Sequence, residues 1–235
     1  MNDIFAALAI VGLAALIHAS FQLGVSVLTL LSGHSLSVKR SQLRIFRLTT
    51  SFVFGAATTT ILLLSFFVLF LNYIMTADNT LFLWSIISGL LIGAGLAVWF
   101  TYYRPGKGTA LWIPRGFARF LTERTTTTQR SAEAFSLGVA SVLGEILFLI
   151  APLAVSAYAL IHLPSYWQIA SIVTYVAVSL SSLLIVWALV GYGRKLSSIQ
   201  RWREKHKWFL QYCAAAGLVV LGAFTFVNEA LGGLM

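Results

Sequence analysis

Six stretches of mostly apolar residues alternate along the chain with shorter, more polar segments. Each stretch reaches the roughly 20 residues that an α-helix needs to cross about 30 Å of hydrocarbon. The six predicted spans cover residues 4–32, 51–74, 81–103, 133–161, 166–191 and 208–231. The pattern therefore predicts an all-α polytopic membrane protein with six transmembrane helices.

The composition favours the same interpretation. Hydrophobic residues occupy 59% of the 235 positions and charged residues only 10%, whereas soluble domains average about 25% charged residues. Asp3 is the only charged side chain before the first span, so we do not expect a cleaved signal peptide. The single cysteine, Cys213, excludes an intramolecular disulfide, a CxxC metal site and a dithiol relay.

The sixteen Lys and Arg residues lie in three of the five predicted connections. Four lie within 39–47, six within 104–130 and six within 194–207. Because positively charged loops remain cytoplasmic, we predict cytoplasmic basic loops and both termini outside, in the plasma (inner) membrane of a prokaryote. We interpret the net charge of +9 as a determinant of topology and of contact with anionic lipid headgroups, and we expect no nucleic-acid partner.

A basic linker, residues 104–131, divides the spans into two groups of three. Within it, Phe117, Phe120 and Leu121 recur at helical spacing between arginines, which predicts a short helix at the cytoplasmic membrane interface. Three spans in each half require opposite orientations for residues 1–103 and residues 132–235.

Short similar motifs support this division. "FQLGVSVL" at 21–28 and "FSLGVASVL" at 135–143 each lie in the first span of their half. We therefore predict two inverted three-helix repeats, an arrangement that recurs in secondary transporters.

Two further motifs lie in the same spans: "LLSGHS" in the first and "LGEILFLIAP" in the fourth. Together with the Phe-x-Leu-Gly-Val motifs and the two groups of three spans, they resemble the lysine-exporter superfamily, which breaks its helices there. That family includes amino-acid and cation exporters and the thiol carriers of cytochrome c biogenesis. Its Pro-Cys, Pro-Gly-Pro and Asn-Pro motifs are absent, and Ser32-Gly33 and Gly144-Glu145 stand roughly in their places. The resemblance implies a fold and a general transport role, and no particular substrate.

Two strongly ionisable residues, His18 and Glu145, lie deep within predicted spans. Insertion scales put the cost of such a side chain at roughly 2.5–3.5 kcal/mol, and these residues usually face a cavity or each other. Counted from the outer ends of their spans, both lie at a similar depth. We interpret them as a proton-coupled or cation-binding pair in which Glu145 carries the coupling charge. Alternatively, both only fix helix packing through hydrogen bonds.

Neutral polar residues accompany this pair. Gln22, Ser26 and Thr29 follow His18 at spacings that place them on one helical face, and Ser141 lies one turn before Glu145. This polar set predicts either a wet cavity or hydrogen bonds between helices.

Three residues favour interrupted helices near these polar side chains. Gly144 lies beside Glu145, Pro152 removes a backbone donor seven residues later, and Gly33 ends the Ser-Gly pair of the first span. Broken helices allow transporters to present backbone groups to ions. On the third span, Gly89 and Gly93 predict close helix packing, either within the chain or in a homodimer.

We expect a small secondary transporter or exporter that moves a small solute or cation, with proton coupling, by alternating access between the two halves. The alternative is a non-transporting integral membrane subunit or scaffold with a basic cytoplasmic face. A nucleophile with its base, a metal cluster and paired carboxylates have no recognisable spacing in the sequence, so we expect neither an enzyme nor a cofactor.

Overall fold

The computed structural model describes residues 4–20, 23–37, 42–75, 79–101, 115–192 and 197–231. These residues form ten α-helices, and a π-helix (Phe226–Leu231) continues the last of them. The helices are α1 (Ile4–Ser20), α2 (Leu23–Ser37), α3 (Gln42–Ile74), α4 (Thr80–Thr101), α5 (Arg115–Thr127), α6 (Ser131–Leu143), α7 (Ile146–Ile161), α8 (Ser165–Ser179), α9 (Ser181–Gly191) and α10 (Ser197–Thr225).

Three uninterrupted helical segments are long and apolar enough to cross a membrane: Gln42–Ile74, Thr80–Phe100 and Gln211–Asn228. Three consecutive helix pairs reach that length only when each bent pair counts as one span. The bends are 47° between α1 and α2, 76° between α6 and α7, and 61° between α8 and α9. The described part of the chain is thus all-α, with three apolar spans, or up to six with the bent pairs, as expected of a polytopic membrane protein.

The helix predicted within the linker is present as α5. Its apolar side chains divide between two environments, because Leu121 is buried and Phe117 packs against the core, whereas Phe120 is exposed. Charged side chains lie on the exposed surface, where Arg119 Nε approaches Glu123 Oε1 at 3.7 Å. The earlier part of the linker, 104–114, lies outside the described residues. The helix α5 packs against α2 and α6, so it lies beside the beginning of the bent pair α6–α7.

The helix α7 occupies the centre of the bundle. Its residues from Ala151 to Leu160 are all buried, and it packs against α1, α3, α4 and α8. A helix that is apolar and buried on every side is typical of the interior of a membrane bundle. The bend between α6 and α7 is therefore held by neighbours from both halves of the chain.

Glycines bring the backbones of α3 and α6 into direct contact. A Cβ atom added at Gly55 would overlap the carbonyl oxygen of Phe135, and one added at Gly138 would overlap that of Phe52. The contact is reciprocal, since each glycine faces the backbone of the other helix. Small residues at such crossings are the usual means of close helix packing in membranes.

A second close crossing joins α4 to α10. A Cβ atom added at Gly95 would lie 2.9 Å from the carbonyl oxygen of Ala215, and one at Gly222 would lie 3.0 Å from the amide nitrogen of Ile92. Gly89 and Gly93 behave differently, because an added Cβ at either meets no atom of the described residues within 4 Å. The packing within the chain thus uses Gly95 instead of the Gly89–Gly93 pair.

Candidate functional site

Glu145 lies at the bend between α6 and α7 and is 4% exposed. The helix α6 ends at Leu143 with Gly144 as its C-cap, and Glu145 takes backbone angles of φ −97° and ψ 0° before α7 begins. These angles belong to the sparsely populated bridge region. The Glu145 amide donates to the carbonyl of Val142 at 3.1 Å, which tightens the last turn of α6 as the chain changes direction.

The Glu145 carboxylate contacts the beginning of a second helix in the other half of the chain. Its Oε1 accepts a hydrogen bond from the backbone N–H of Gly24 at 3.2 Å, and the contact is buried. Gly24 is the second residue of α2, where backbone N–H groups lack an acceptor within their own helix. Helix N-termini also carry a partial positive charge that favours an anionic group. Glu145 therefore caps α2 and joins one bent helix pair to another.

Ser141 lies beside this contact. Its Oγ would be 3.3 Å from a Cβ atom added at Gly24, a tight contact that the Ser141 side chain would have to relieve by a small shift. The Ser141 hydroxyl is fully buried and donates to the carbonyl of Gly138 at 2.8 Å. The structure thus brings Ser141 and Glu145 together at the N-terminus of α2.

His18 lies in the last turn of α1 and is 1% exposed. Its Nδ1 is 3.1 Å from the hydroxyl of Tyr175 on α8, and both groups are buried. Because a neutral imidazole has one donor and one acceptor nitrogen, the tautomer of His18 decides which partner donates. The Nε2 of His18 has no hydrogen-bond partner among the described residues. The contact described for His18 is with Tyr175, and that described for Glu145 is with Gly24. That His18 and Glu145 pair with each other stays a prediction.

In the predicted polar stripe, the Thr29 hydroxyl donates within its own helix, to the carbonyl of Ser26 at 2.8 Å. The hydroxyl of Ser32, which was not predicted as part of the stripe, donates to the carbonyl of Thr29 at 3.0 Å. Ser26 is half-buried and Thr29 is buried. Gln22 lies outside the described residues.

The structure places the three residues predicted to interrupt helices at different kinds of position. Gly144 is the C-cap of α6 and lies at the 76° bend. Pro152 lies inside α7, which continues through it to Ile161, and Gly33 lies inside α2, which continues to Ser37. The 47° change of direction in the first predicted span separates α1 from α2, ahead of Gly33.

Two contributors to the site are not evident from the sequence. Gly24 acts through its backbone amide, which no side-chain pattern reveals, although it lies in the motif "FQLGVSVL". Tyr175 lies in an apolar stretch and is fully buried, and the signal that could have found it is its hydroxyl, which needs a partner when buried. Ser171, one turn earlier on α8, is also buried, and its Oγ has no partner among the described residues.

Within the described part of the chain, no group of three His, Cys, Asp or Glu side chains is placed to hold a metal ion. Comparisons of the chain with protein-family models, with curated proteins and with solved structures found no match. The fold itself defines a class, an all-helical protein with three to six candidate membrane spans. The distinctive feature of this protein is the buried carboxylate of Glu145, which caps the first turn of α2, a helix of another bent pair.

Proposed function

We propose that the protein is a small secondary transporter or exporter that moves a small solute or cation, with proton coupling, by alternating access between two inverted halves. The resemblance to the lysine-exporter superfamily implies this role. The observation that carries the proposal is the buried hydrogen bond from the Gly24 amide to Glu145 Oε1. It places an ionisable group where two bent helix pairs meet, the kind of position at which transporters bind ions.

The same hydrogen bond supplies a coupling mechanism. An ionised carboxylate is a stronger acceptor for an amide than a protonated carboxyl group. A proton or a cation that binds Glu145 therefore reduces the negative charge of the carboxylate and weakens its hydrogen bond with the Gly24 amide. Its arrival weakens the link between α2 and the α6–α7 bend, and its departure restores that link, so occupancy of Glu145 would govern the relative position of the two halves.

Contacts between corresponding spans support the inverted arrangement. The first spans of the two halves contact each other, since α1 packs against α7 and α2 packs against α6. The third spans do the same, since α4 packs against α10. Pairing of like elements is what two halves related by a two-fold axis in the membrane plane would give.

In this proposal Glu145 binds the coupling ion, and His18, Gln22, Ser26, Thr29 and Ser141 line the path of the solute. The basic connections lie at the cytoplasmic face of a prokaryotic inner membrane, near anionic headgroups. We propose no enzymatic activity, cofactor or nucleic-acid partner for the protein, and two copies would associate through the Gly89–Gly93 face of α4.

The test is solute and proton flux in proteoliposomes that contain a pH-sensitive dye, with basic amino acids, neutral amino acids and divalent cations as solutes. Glu145→Gln keeps the shape of the side chain and removes its charge. Glu123→Gln is the matched control, because Glu123 is 71% exposed on α5. We expect a solute-dependent pH change in the wild type and in Glu123→Gln, and its loss in Glu145→Gln. Equal coupled flux in Glu145→Gln and the wild type would overturn the role of Glu145.

The second candidate is a non-transporting membrane subunit or scaffold whose basic face contacts partner proteins or lipid headgroups. The burial of Glu145 and its hydrogen bond with Gly24 also favour this second candidate, because both features suit a carboxylate whose role is to cap α2. Two results together would favour the scaffold. The folded protein would transport no solute of the panel, and the Glu145→Gln variant would keep the cap on α2.

A further inference from the structure

A cavity of about 520 Å³ lies where α5 meets α6, away from the Glu145 site. Its volume falls within the roughly 300–1,000 Å³ range of small-molecule binding sites. Arg124 and Glu133 are its charged lining residues, Phe120, Leu137 and Ala140 contribute apolar surface, and the remaining lining residues carry hydroxyl groups (Thr127, Thr128 and Ser136). The cavity therefore combines two opposite charges with an apolar wall.

The Arg124 guanidinium is available to an external anion. Its Cζ lies 5.8 Å from the centre of the Phe120 ring, and the side chain is exposed. The ion pair shown on α5 belongs to Arg119 and Glu123, and Arg124 has no ion pair among the described residues. A guanidinium presents several N–H donors in a planar fork that suits phosphate oxygens.

The Glu133 carboxylate is fixed at the beginning of α6. Its Oε2 accepts the backbone N–H of Gln129 at 2.7 Å and that of Arg130 at 3.1 Å. A carboxylate has about four acceptor positions, so these two bonds leave capacity for a further donor. Because Glu133 is exposed, that donor can come from outside the chain.

The apolar wall lies further along the same helix. Leu137 and Ala140 follow Glu133 at spacings of four and seven residues, which places all three on one face of α6. The charged end of the cavity thus lies at the beginning of the bent pair α6–α7, and the apolar end points along it. If this pair crosses the bilayer, the polar end lies at headgroup depth and the apolar end beside hydrocarbon.

We infer that this cavity binds a phospholipid with a zwitterionic, primary-amine headgroup, namely phosphatidylethanolamine. Arg124 would bind the phosphate in a charge-assisted contact, Glu133 would accept a hydrogen bond from the ammonium group, and Phe120, Leu137 and Ala140 would contact the first part of an acyl chain. A purely anionic headgroup would satisfy Arg124 but lie against the Glu133 carboxylate. A choline headgroup carries no N–H to donate to Glu133.

The test is native mass spectrometry of the full-length protein in detergent micelles doped with equal amounts of phosphatidylethanolamine, phosphatidylglycerol and phosphatidylcholine. Arg124→Gln and Glu133→Gln alter the cavity. Arg119→Gln and Glu123→Gln are the matched controls, because these residues lie on α5 with side chains 82% and 71% exposed and do not line the cavity. Soluble glycerophosphoethanolamine is added as a competitor that carries the headgroup without the acyl chains.

We expect the wild type and both controls to retain phosphatidylethanolamine in preference to the other two lipids. Arg124→Gln should weaken retention about tenfold or more, as the loss of a charge-assisted hydrogen bond implies. Arg124→Lys, which keeps the charge, should retain more lipid than Arg124→Gln, and Glu133→Gln should remove the preference over phosphatidylglycerol.

Three results would overturn the inference. The first is equal retention of the three lipids by the wild type, and the second is an equal loss of bound phosphatidylethanolamine in Arg124→Gln and Arg119→Gln. The third is displacement of the bound lipid by glycerophosphoethanolamine at the same concentration as the lipid. The last would mean that the cavity holds a soluble phosphodiester instead of a lipid.

Discussion

Substitutions of single residues measure how much the Glu145 site contributes to stability, apart from any role in transport. Replacement of Glu145 by glutamine keeps a side-chain oxygen that can accept the Gly24 amide, whereas alanine leaves that buried N–H without its acceptor. We expect Glu145→Ala to lower the free energy of unfolding by about 1–3 kcal/mol, the usual cost of an unsatisfied buried group, and Glu145→Gln to lower it less. Thermal unfolding of the purified variants in detergent measures the difference. Equal stabilities would mean that the cap contributes nothing.

Tyr175 offers a second prediction at this scale. Tyr175→Phe removes the hydroxyl 3.1 Å from His18 Nδ1 and keeps the ring in the core. We expect a loss of about 1–3 kcal/mol in the free energy of unfolding, because the buried imidazole then lacks its partner. Tyr192→Phe is the control, since Tyr192 is 85% exposed, and it should leave the unfolding transition unchanged. A transition equally unaffected in both variants would show that the contact is dispensable.

Whether the sequence reveals these residues depends on their chemistry. Glu145 and His18 stand out in any reading of the sequence, because ionisable groups are rare in apolar stretches. Gly24 and Tyr175 did not, because a backbone amide leaves no sign in a residue pattern and a tyrosine in an apolar stretch resembles an ordinary core residue. The partners of a buried polar group depend on which helices pack together, and the sequence does not state that.

At the scale of helices, the crossing of α3 and α6 depends on two glycines. A methyl group at Gly55 or Gly138 would overlap a backbone carbonyl of the other helix, and a backbone cannot give way as a side chain can. We expect Gly55→Ala and Gly138→Ala each to destabilise the protein by about 1–3 kcal/mol or more, the usual cost of overpacking. Gly89→Ala is the matched control, because its added Cβ meets nothing within 4 Å. A loss in Gly89→Ala as large as in the other two would contradict the crossing as described.

The bends show what a sequence can and cannot reveal about an element. The 76° bend at Gly144 and Glu145 follows a visible signal, a glycine beside a carboxylate within an apolar run. The 61° bend between α8 and α9 falls at Leu180, between two serines, and nothing in that segment resembles a helix breaker. Pro152 is the strongest breaker in the region, yet α7 continues through it, because a helix surrounded by neighbours can tolerate the missing donor.

At the scale of the whole molecule, apolar patterning predicted the all-helical fold and the approximate location of every candidate span. It could not predict that, within the described residues, three of the candidate spans are uninterrupted helices and three are bent pairs. Length and apolar content decide whether a segment can lie in a bilayer, whereas its path there depends on packing against other helices. Whether a bent pair crosses the membrane or returns to the side it entered is therefore the main question of topology.

Cysteine labelling answers that question for the two bent pairs of the second half. In a Cys213→Ser background, single cysteines replace Glu123 on α5, His162 after α7 and Tyr192 after α9, three positions with exposed side chains. If each pair crosses the bilayer, these positions alternate between its two sides, and the basic connections put Glu123 and Tyr192 in the cytoplasm. We expect a membrane-impermeant maleimide to label His162→Cys in intact cells, and to label the other two only after permeabilisation. Labelling of His162→Cys on the same side as Glu123→Cys would mean that α6 and α7 form a re-entrant pair, and the inverted repeat would then fail.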